Sequence, residues 1–570
     1  MLLGACGRAS SVPAPTPMPT AAAVGPETSV ATLLGQLSVR DKIAQLVMPW
    51  IPGTYAAYDD SGFARAEAWV DSLHVGGVIV SIGSPLDVAA KLNRLQQRSS
   101  LPLLVGSDFE GGTSLRLNGG TLFPPNMGLG ATGSDSAAYD LGRITALEGR
   151  AVGVQLAFAP VADVNNNPAN PIINTRSFGE DPVEVGRMVA AEVRGLQDFG
   201  VLATAKHFPG HGDTGTDSHV ALPVITSTWE RLDSVELVPF RAAIRAGVDV
   251  VMSAHIALPG IDSGLVRPGT VAPNILTGIL RDSLGFQGMI VTDALNMAGV
   301  ADAYGAEAGV RAFLAGADLL LQPADPGATL DAMERAVASG AITTERLDAS
   351  VRRVLEAKRA LGLFARRTVP LDSIPAVVGN AAFQADAAAI AARSIVMVKD
   401  SAGVIHSMAA RPPVTLVTYA EEENRQVGIA LGLELRAQGF PVAMTRLWPS
   451  SGLASYDSAA ATLRRAGVVV FATADRPTAG RGTIGLPAAL MTLIARTARE
   501  RATVLVSLGN PYVIAGLPEV GSYLIGWRSN TVMEQAVARA LAGEAPITGR
   551  LPIALPPRYQ RGWGLQRRVP

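Results

Sequence analysis

Val201-Leu202-Ala203-Thr204-Ala205-Lys206-His207-Phe208-Pro209-Gly210-His211-Gly212-Asp213-Thr214-Gly215-Thr216-Asp217-Ser218-His219 decides how the rest of the chain is read. Its first five residues form an apolar run without polar alternation, the pattern of a strand covered on both faces. The run opens into a segment holding three of the chain's six histidines, a lysine, two aspartates and three glycines. The next helix start is Ser227-Thr228-Trp229-Glu230, so the loop is long where connections of roughly four to six residues are usual. Long ordered loops rich in titratable groups are where function concentrates.

Working outward, seven further apolar runs share the character of Val201–His207: Ala44–Trp50, Val75–Ser81, Leu101–Asp108, Val154–Pro160, Val248–His255, Gly288–Asp293 and Ala317–Gln322. Amphipathic or Ala-rich stretches lie between them, including Leu86–Gln97, Ser136–Val152, Pro182–Phe199, Glu230–Ala246 and Asn274–Leu284. Eight β–α alternations over about 330 residues predict a (β/α)8 barrel of the TIM type rather than an open sheet. Its last helix is expected from Thr344 to Leu361, with Gly362 just past its end. The barrel is assigned to 29–365, a linker with Pro370 and Pro375 to 366–379, and a smaller α/β sandwich domain with a mostly parallel sheet to 380–570. In that second domain the expected strands are Ile395–Val398, Val414–Tyr419, Gly467–Ala472, Thr503–Leu508 and Tyr523–Ile525. Its glycines lack the spacing of a dinucleotide site.

Barrels of this kind place their active sites at the carboxyl ends of the strands. Polar residues gather there: Ser107-Asp108-Phe109-Glu110, Asp163-Val164-Asn165, Lys206-His207, His255 and Thr292-Asp293. One such ending would serve as a helix cap; five around one rim point to a shared site. Asp293 is placed to act as nucleophile or general base. Asp217 and His219 stand two apart, so in an extended loop their side chains point the same way, and a carboxylate beside an imidazole tunes a proton donor. Lys206, His207, Asp108, Arg116 and Arg176 add donors and acceptors without a phosphate cradle, a mixture suited to a ligand studded with hydroxyls and amides. A sugar fits that description.

The string KHFPGHGDTGTDSH, with DFEGG, NTRSFGEDP and VTDALNM, resembles glycoside hydrolase family 3, in its β-N-acetylglucosaminidase branch. The resemblance runs from about residue 35 to the end and takes in Gly549-Arg550-Leu551-Pro552. It implies an exo-acting, retaining reaction on terminal β-linked N-acetylglucosamine of cell-wall fragments or chitin oligomers. Asp293 would attack the anomeric carbon, and His219, paired with Asp217, would act as acid and then base. Asp108, Arg116, Arg176, Lys206 and His207 would hold the sugar, with no cofactor and no metal. Phe109 stands where the family pattern has Gln, and Asp163, His211, Asp213 and His255 are expected to shape loops. A histidine is neutral once its proton is given up, so phosphate could compete with water for the glycosyl-enzyme. A β-glucosidase and an N-acetylglucosamine phosphorylase are therefore alternatives on the same fold. Competing chemistries are a metal hydrolase using His207, His211, Asp213 and His219, a Schiff-base lyase using Lys206, and a sugar-binding protein without turnover.

Composition bounds the rest. The 570 residues suggest more than one domain, and a formal net charge of −1 with no basic run argues against nucleic acid as a partner. No segment offers roughly 18 uninterrupted apolar residues. Cys6 is the sole cysteine, which excludes an internal disulfide. Leu3-Gly4-Ala5-Cys6 resembles a bacterial lipobox, and the Pro/Ala/Thr-rich residues up to 28 suit a tether. The expectation is a cell-envelope protein anchored to the membrane through lipidated Cys6, with a cleavable signal beginning upstream of Met1. A cytoplasmic tail is the alternative.

Overall fold

The structure is a computed structural model and describes residues 29–57, 60–475 and 484–569. Cys6 and the tether up to residue 28 lie outside the described residues. The first apolar run is split at Pro49 into β1 (Val47–Met48) and β2 (Trp50–Ile51), and the two pieces serve different neighbours. The other seven runs yield β3 (Gly77–Val80), β4 (Leu104–Ser107), β5 (Leu156–Ala157), β6 (Leu202–Phe208), β7 (Val250–Ser253), β8 (Met289–Val291) and β9 (Leu320–Leu321). From β2 to β8 each strand pairs in parallel with the next. Two contacts close the ring: β1 pairs with β9 in the register Val47↔Leu320, and Val291 bridges Leu319. The result is a parallel barrel of eight runs, without the edges that would invite further pairing.

Helices cover the barrel, and their caps explain where they begin. Ser84, Asp181, Thr228, Asp325 and Thr343 each accept a backbone N–H of the first turn with their side-chain oxygen. Expected and observed helices agree within a few residues, except that Leu232–Glu236 and Asn274–Ser283 are π-helical. Pro239 gives one of these a cause: it has no N–H to return to Val235, and the turn preceding it widens. At the amino end of the barrel the buried carboxylate of Asp318 gathers Arg281 at 2.6 Å, Arg353 at 3.2 Å and Arg346 at 3.4 Å. It also accepts the N–H of Ile290 at 3.0 Å, so the closing strands and two helices share one anchor.

The predicted linker is not a free tether. Val369 exchanges hydrogen bonds with the side chain of Asn93, Ile374 is buried in the barrel core, and the N–H of Gly379 donates to Glu148 at 2.7 Å. Glu148 also accepts both the N–H and hydroxyl of Thr121 and the hydroxyl of Thr113, which ties the connector to the loop after β4. By length and composition Leu371–Ser394 could cross a membrane. It is divided into Leu371–Ser373, Ile374–Val377 and Ala381–Ser394, and the last of these packs between Asn126–Thr132 of the barrel and Thr531–Ala542 of the second domain.

The second domain is a six-stranded sheet of β10 (Val396–Asp400), β11 (Val414–Tyr419), β12 (Val442–Leu447), β13 (Val468–Thr473), β14 (Ala502–Ser507) and β15 (Ser522–Ile525). Its order is β10-β15-β14-β13-β11-β12, parallel except for β10 against β15. Strand β12 escapes the sequence reading because it is an edge strand whose Ala443 and Met444 are exposed and whose Thr445-Arg446 interrupts the apolar run. The domain docks on the barrel through Asn165 to the Tyr512 hydroxyl at 2.9 Å, Asn530 to the Phe123 carbonyl at 3.0 Å and Arg561 to Asp181 at 2.9 Å.

Glu192, on the helix Pro182–Gln197, is buried, and one of its carboxylate oxygens has no partner. Burial first, and then the charge of Glu110, pushes its acid up from 4.5 to about 8, against the pull of Lys206. The unfolded chain releases this proton above 4.5 while the folded one keeps it until about 8, so folding is penalised increasingly as pH rises across that window. Glu192→Gln should therefore gain stability relative to the parent between pH 5 and pH 8, by roughly 3 kcal/mol in urea unfolding. An advantage that does not grow with pH would contradict this.

Candidate active site

At the carboxyl rim the side chains read from the sequence converge on one cavity of about 730 Å3. Asp108, Arg116, Arg176, Lys206, His207, His219 and Asp293 all line it. Asp217 does not; it lies behind His219, only 1 % exposed. The second domain supplies part of the wall through Leu508, Trp527 and Arg528.

Lys206 sits at the centre of the charged lining and is almost wholly buried. Its Nζ lies 3.0 Å from Asp108 Oδ1 and 2.6 Å from Glu110 Oε1. Arg176 meets the same Glu110 through two parallel hydrogen bonds of 2.8 and 2.7 Å, and Arg116 reaches Asp108 at 3.2 Å. A buried charge needs this pairing, because desolvation alone would neutralise it. Burial opposes ionisation of both carboxyls, yet Arg176 and Lys206 hold Glu110 well below the ordinary range, and Lys206 and Arg116 hold Asp108 below it too. Burial also opposes the charge on Lys206, but Glu110 and Asp108 raise its pKa. An ammonium so held is a poor amine nucleophile, which weighs against the Schiff-base chemistry.

His207 is fixed by Asp163. Nδ1 lies 2.7 Å from Asp163 Oδ2, which sets the orientation of the ring, and Arg176 approaches Nε2 at 3.4 Å. Asp163 Oδ1 also accepts the N–H groups of His207 and His211. His211 sits deeper. Burial outweighs the charge of Asp163 and lowers its pKa to about 4, so it is neutral, and its two nitrogens meet the Thr214 and Ser218 hydroxyls at 2.8 and 3.1 Å. Gly212 has to be glycine, because a Cβ there would lie 1.7 Å from the Val164 carbonyl. These contacts seat the loop that delivers His219.

The Asp217–His219 contact forms, though not as two side chains projecting from an extended loop. Residues 218–220 make a turn in which Asp217 Oδ1 accepts both the N–H of His219 at 2.9 Å and its Nδ1 at 2.8 Å. The turn serves the pairing and leaves Nε2 free to work, with the His219 side chain 37 % exposed. Asp293 accepts the N–H of Ala294 at 2.8 Å. Burial raises its pKa, but His255, His207, that N–H and Lys206 together hold it below its ordinary value. Burial lowers the pKa of His255, against the pull of the Asp293 charge; its Nε2 lies 2.9 Å from the Ala294 carbonyl and its Nδ1 2.8 Å from Thr270, which fixes the peptide next to Asp293.

The metal-ligand set of the rival chemistry does not assemble. His211 is engaged on both nitrogens, His219 Nδ1 faces Asp217, and Asp213 turns towards Arg231 at 3.9 Å. Among the described residues, the acidic or imidazole groups close enough to share a cation are Glu421, Glu422 and Glu423, far along the chain in the second domain. Glu110 and Asp163 are the residues whose weight the sequence understated. Both stand at strand ends, but a pattern of single residues does not tell which carboxylate will receive two cations.

A sequence profile of the glycosyl hydrolase family 3 N terminal domain matches residues 38–357. The chain is 33 % identical over 499 residues to a β-N-acetylglucosaminidase/β-glucosidase of Cellulomonas fimi, covering 84 % of this chain and 88 % of that one. Among solved structures it is similar to a family 3 β-N-acetylglucosaminidase of Paenibacillus sp. str. FPU-7, with TM-score 0.80 and 34 % identity over 91 % of this chain and 99 % of the other. It is also similar to the β-glucoside phosphorylase BglX, with TM-score 0.83 and 27 % identity over 92 % and 95 % of the two chains.

Glu110→Gln leaves Lys206 and Arg176 short of a countercharge. Removal of one partner from such a buried network should cost about 3 kcal/mol of stability and raise KM, read by urea unfolding and steady-state kinetics. Unchanged values for both would remove Glu110 from the centre of the site.

Proposed function

We propose, from the premise that this chain belongs to glycosyl hydrolase family 3, that it removes terminal β-linked N-acetylglucosamine residues in two steps through a glycosyl-enzyme. The observation that carries this is the pairing of an ionised Asp293 with a solvent-facing His219 held by Asp217, both at one sugar-sized cavity. The names of the Cellulomonas and Paenibacillus relatives support the acetamido sugar as substrate.

In the first step the carboxylate of Asp293 forms a bond to the anomeric carbon while the bond to the leaving oxygen breaks, and His219 Nε2 gives that oxygen its proton. In the second, His219 takes a proton from water, whose oxygen displaces Asp293 and restores the carboxylate. Asp217 fixes the ring and balances the imidazolium. The paired cations and carboxylates of Arg176, Glu110, Lys206, Asp108 and Arg116 offer donors and acceptors in fixed directions to the sugar hydroxyls. These groups are already charged and ordered before the substrate arrives, so little reorganisation accompanies the reaction.

With a chromogenic β-N-acetylglucosaminide, Asp293→Ala should abolish turnover. His219→Ala should lower kcat by a factor on the order of 10² to 10⁴, the usual worth of a general acid–base group. Undiminished activity in either variant would overturn the assignment, and equal use of the matching β-glucoside would move the protein to the glucosidase side of the family.

A second reading is favoured by the likeness to BglX and by the neutral imidazole left after the first step. Inorganic phosphate, less repelled than by a carboxylate base, would compete with water for the glycosyl-enzyme. Sugar 1-phosphate should then accumulate as phosphate is raised, while its absence at every concentration would confine the enzyme to hydrolysis.

A further inference from the structure

Trp50 is an indole out of place in a barrel strand. Strand partners carry their side chains on the same face, and Trp50 is paired with Ile79, which lines the active-site cavity. Met48, two residues earlier on the same face, is buried at 1 %, whereas Trp50 is 41 % exposed. Trp50 is not itself among the residues lining the cavity, but its pairing with Ile79 sets it directly beside that lining, at the carboxyl end of its strand. Tyr55, 77 % exposed, follows on the same loop, and Ile82 is exposed on the next one.

These loops are built, not draped. Lys91 is buried and donates through Nζ to the carbonyls of Pro52 and Thr54, each at 2.7 Å. A Cβ on Gly53 would fall 2.4 Å from the Ser81 carbonyl, and one on Gly83 would fall 2.1 Å from the Gly53 carbonyl. The two loops are locked together, and exposed apolar groups held in a fixed place at the edge of a cavity mark a surface kept for a ligand. The order of strands shows what stands opposite. The run holding Trp50 is the first of eight and β6 is the fifth, so Trp50 faces, across the mouth, the rim whose loop carries His219.

We infer that Trp50, with Tyr55 on the loop that follows it, is the platform on which the ring of the leaving group lies, so that a pyranose aglycone is gripped between an aromatic face and the His219 that protonates its bridging oxygen. The inference rests on the glycosidase reading above and deepens it, by assigning a residue that distinguishes a saccharide leaving group from a small one. Pyranose rings present a face of axial C–H groups, which suits an electron-rich indole, and such contacts need little ordering when the indole is already fixed. Trp50 and Tyr55 carry no charge at neutral pH, so the ligand class is a neutral β-linked aminosugar oligomer.

The test compares two substrates that share the first sugar and differ in what leaves: N-acetyl-β-glucosaminyl fluoride, which has no leaving ring, and N,N′-diacetylchitobiose. For Trp50→Ala the ratio of kcat/KM for the disaccharide to that for the fluoride should fall about tenfold, with Trp50→Phe keeping most of the parental ratio and Tyr55→Ala showing a smaller drop. An unchanged ratio in Trp50→Ala, or an equal loss on both substrates, would overturn the platform. Wild type that fails to cleave even the fluoride would sink the glycosidase reading itself, an outcome the parental measurement separates from the others.

Discussion

The ammonium of Lys206, sealed from water between Asp108 and Glu110, is the constraint on which the carboxyl rim depends. An unpaired charge at that depth would cost several kcal/mol, so the loop after β4 must bring both carboxylates to it. Glu110 then needs Arg176 to meet its second oxygen, and the loop after β5 is committed as well. Asp163, on that same loop, reaches back to His207 and His211 and so orders the excursion from β6. Three loops are placed by one electrostatic condition, and Asp293, on a fourth, has its charge favoured by what they assemble.

Much of this was legible in the sequence because barrel strands advertise themselves twice, by apolar runs and by polar residues at their ends. Lys206, His207 and Asp293 were found that way. The agreement is weaker wherever function or edge position overrides periodicity. Trp50 looked like the last residue of a buried strand, but it belongs to the half of a divided run that pairs with β3, and it is exposed. Strand β12 lacks apolar continuity because only one of its edges pairs. Phe109 replaces a polar residue of the family pattern, and the structure gives the reason it is tolerated: its ring is wholly buried against Gly149 in the barrel core and faces away from the sugar site. What the sequence could not carry is three-dimensional bookkeeping of charge, such as the three arginines on Asp318 or the convergence of Thr113, Thr121 and Gly379 on Glu148. Those residues lie far apart along the chain and belong to no local pattern.

The second domain acquires a part in the site from the same physical argument. Trp527 is buried, donates its indole N–H to the Ser394 carbonyl at 2.7 Å, and packs close to Gly128, so the adjoining Arg528 is carried to the cavity wall by an anchored neighbour. The connector held by Glu148 limits how far the two domains can separate. The wall they share is thus a fixed part of the cavity's shape.

The half-exposed ring of His219 has one more consequence. The side chain is 37 % exposed, while its Nδ1 is held on the buried Asp217. A proton spent on a leaving group can be replaced directly from solvent, with no wire of buried waters or side chains to refill it. Such a centre is recharged at the rate of ordinary aqueous proton exchange, and the barrel interior beneath it is left free to be dry, packed and rigid.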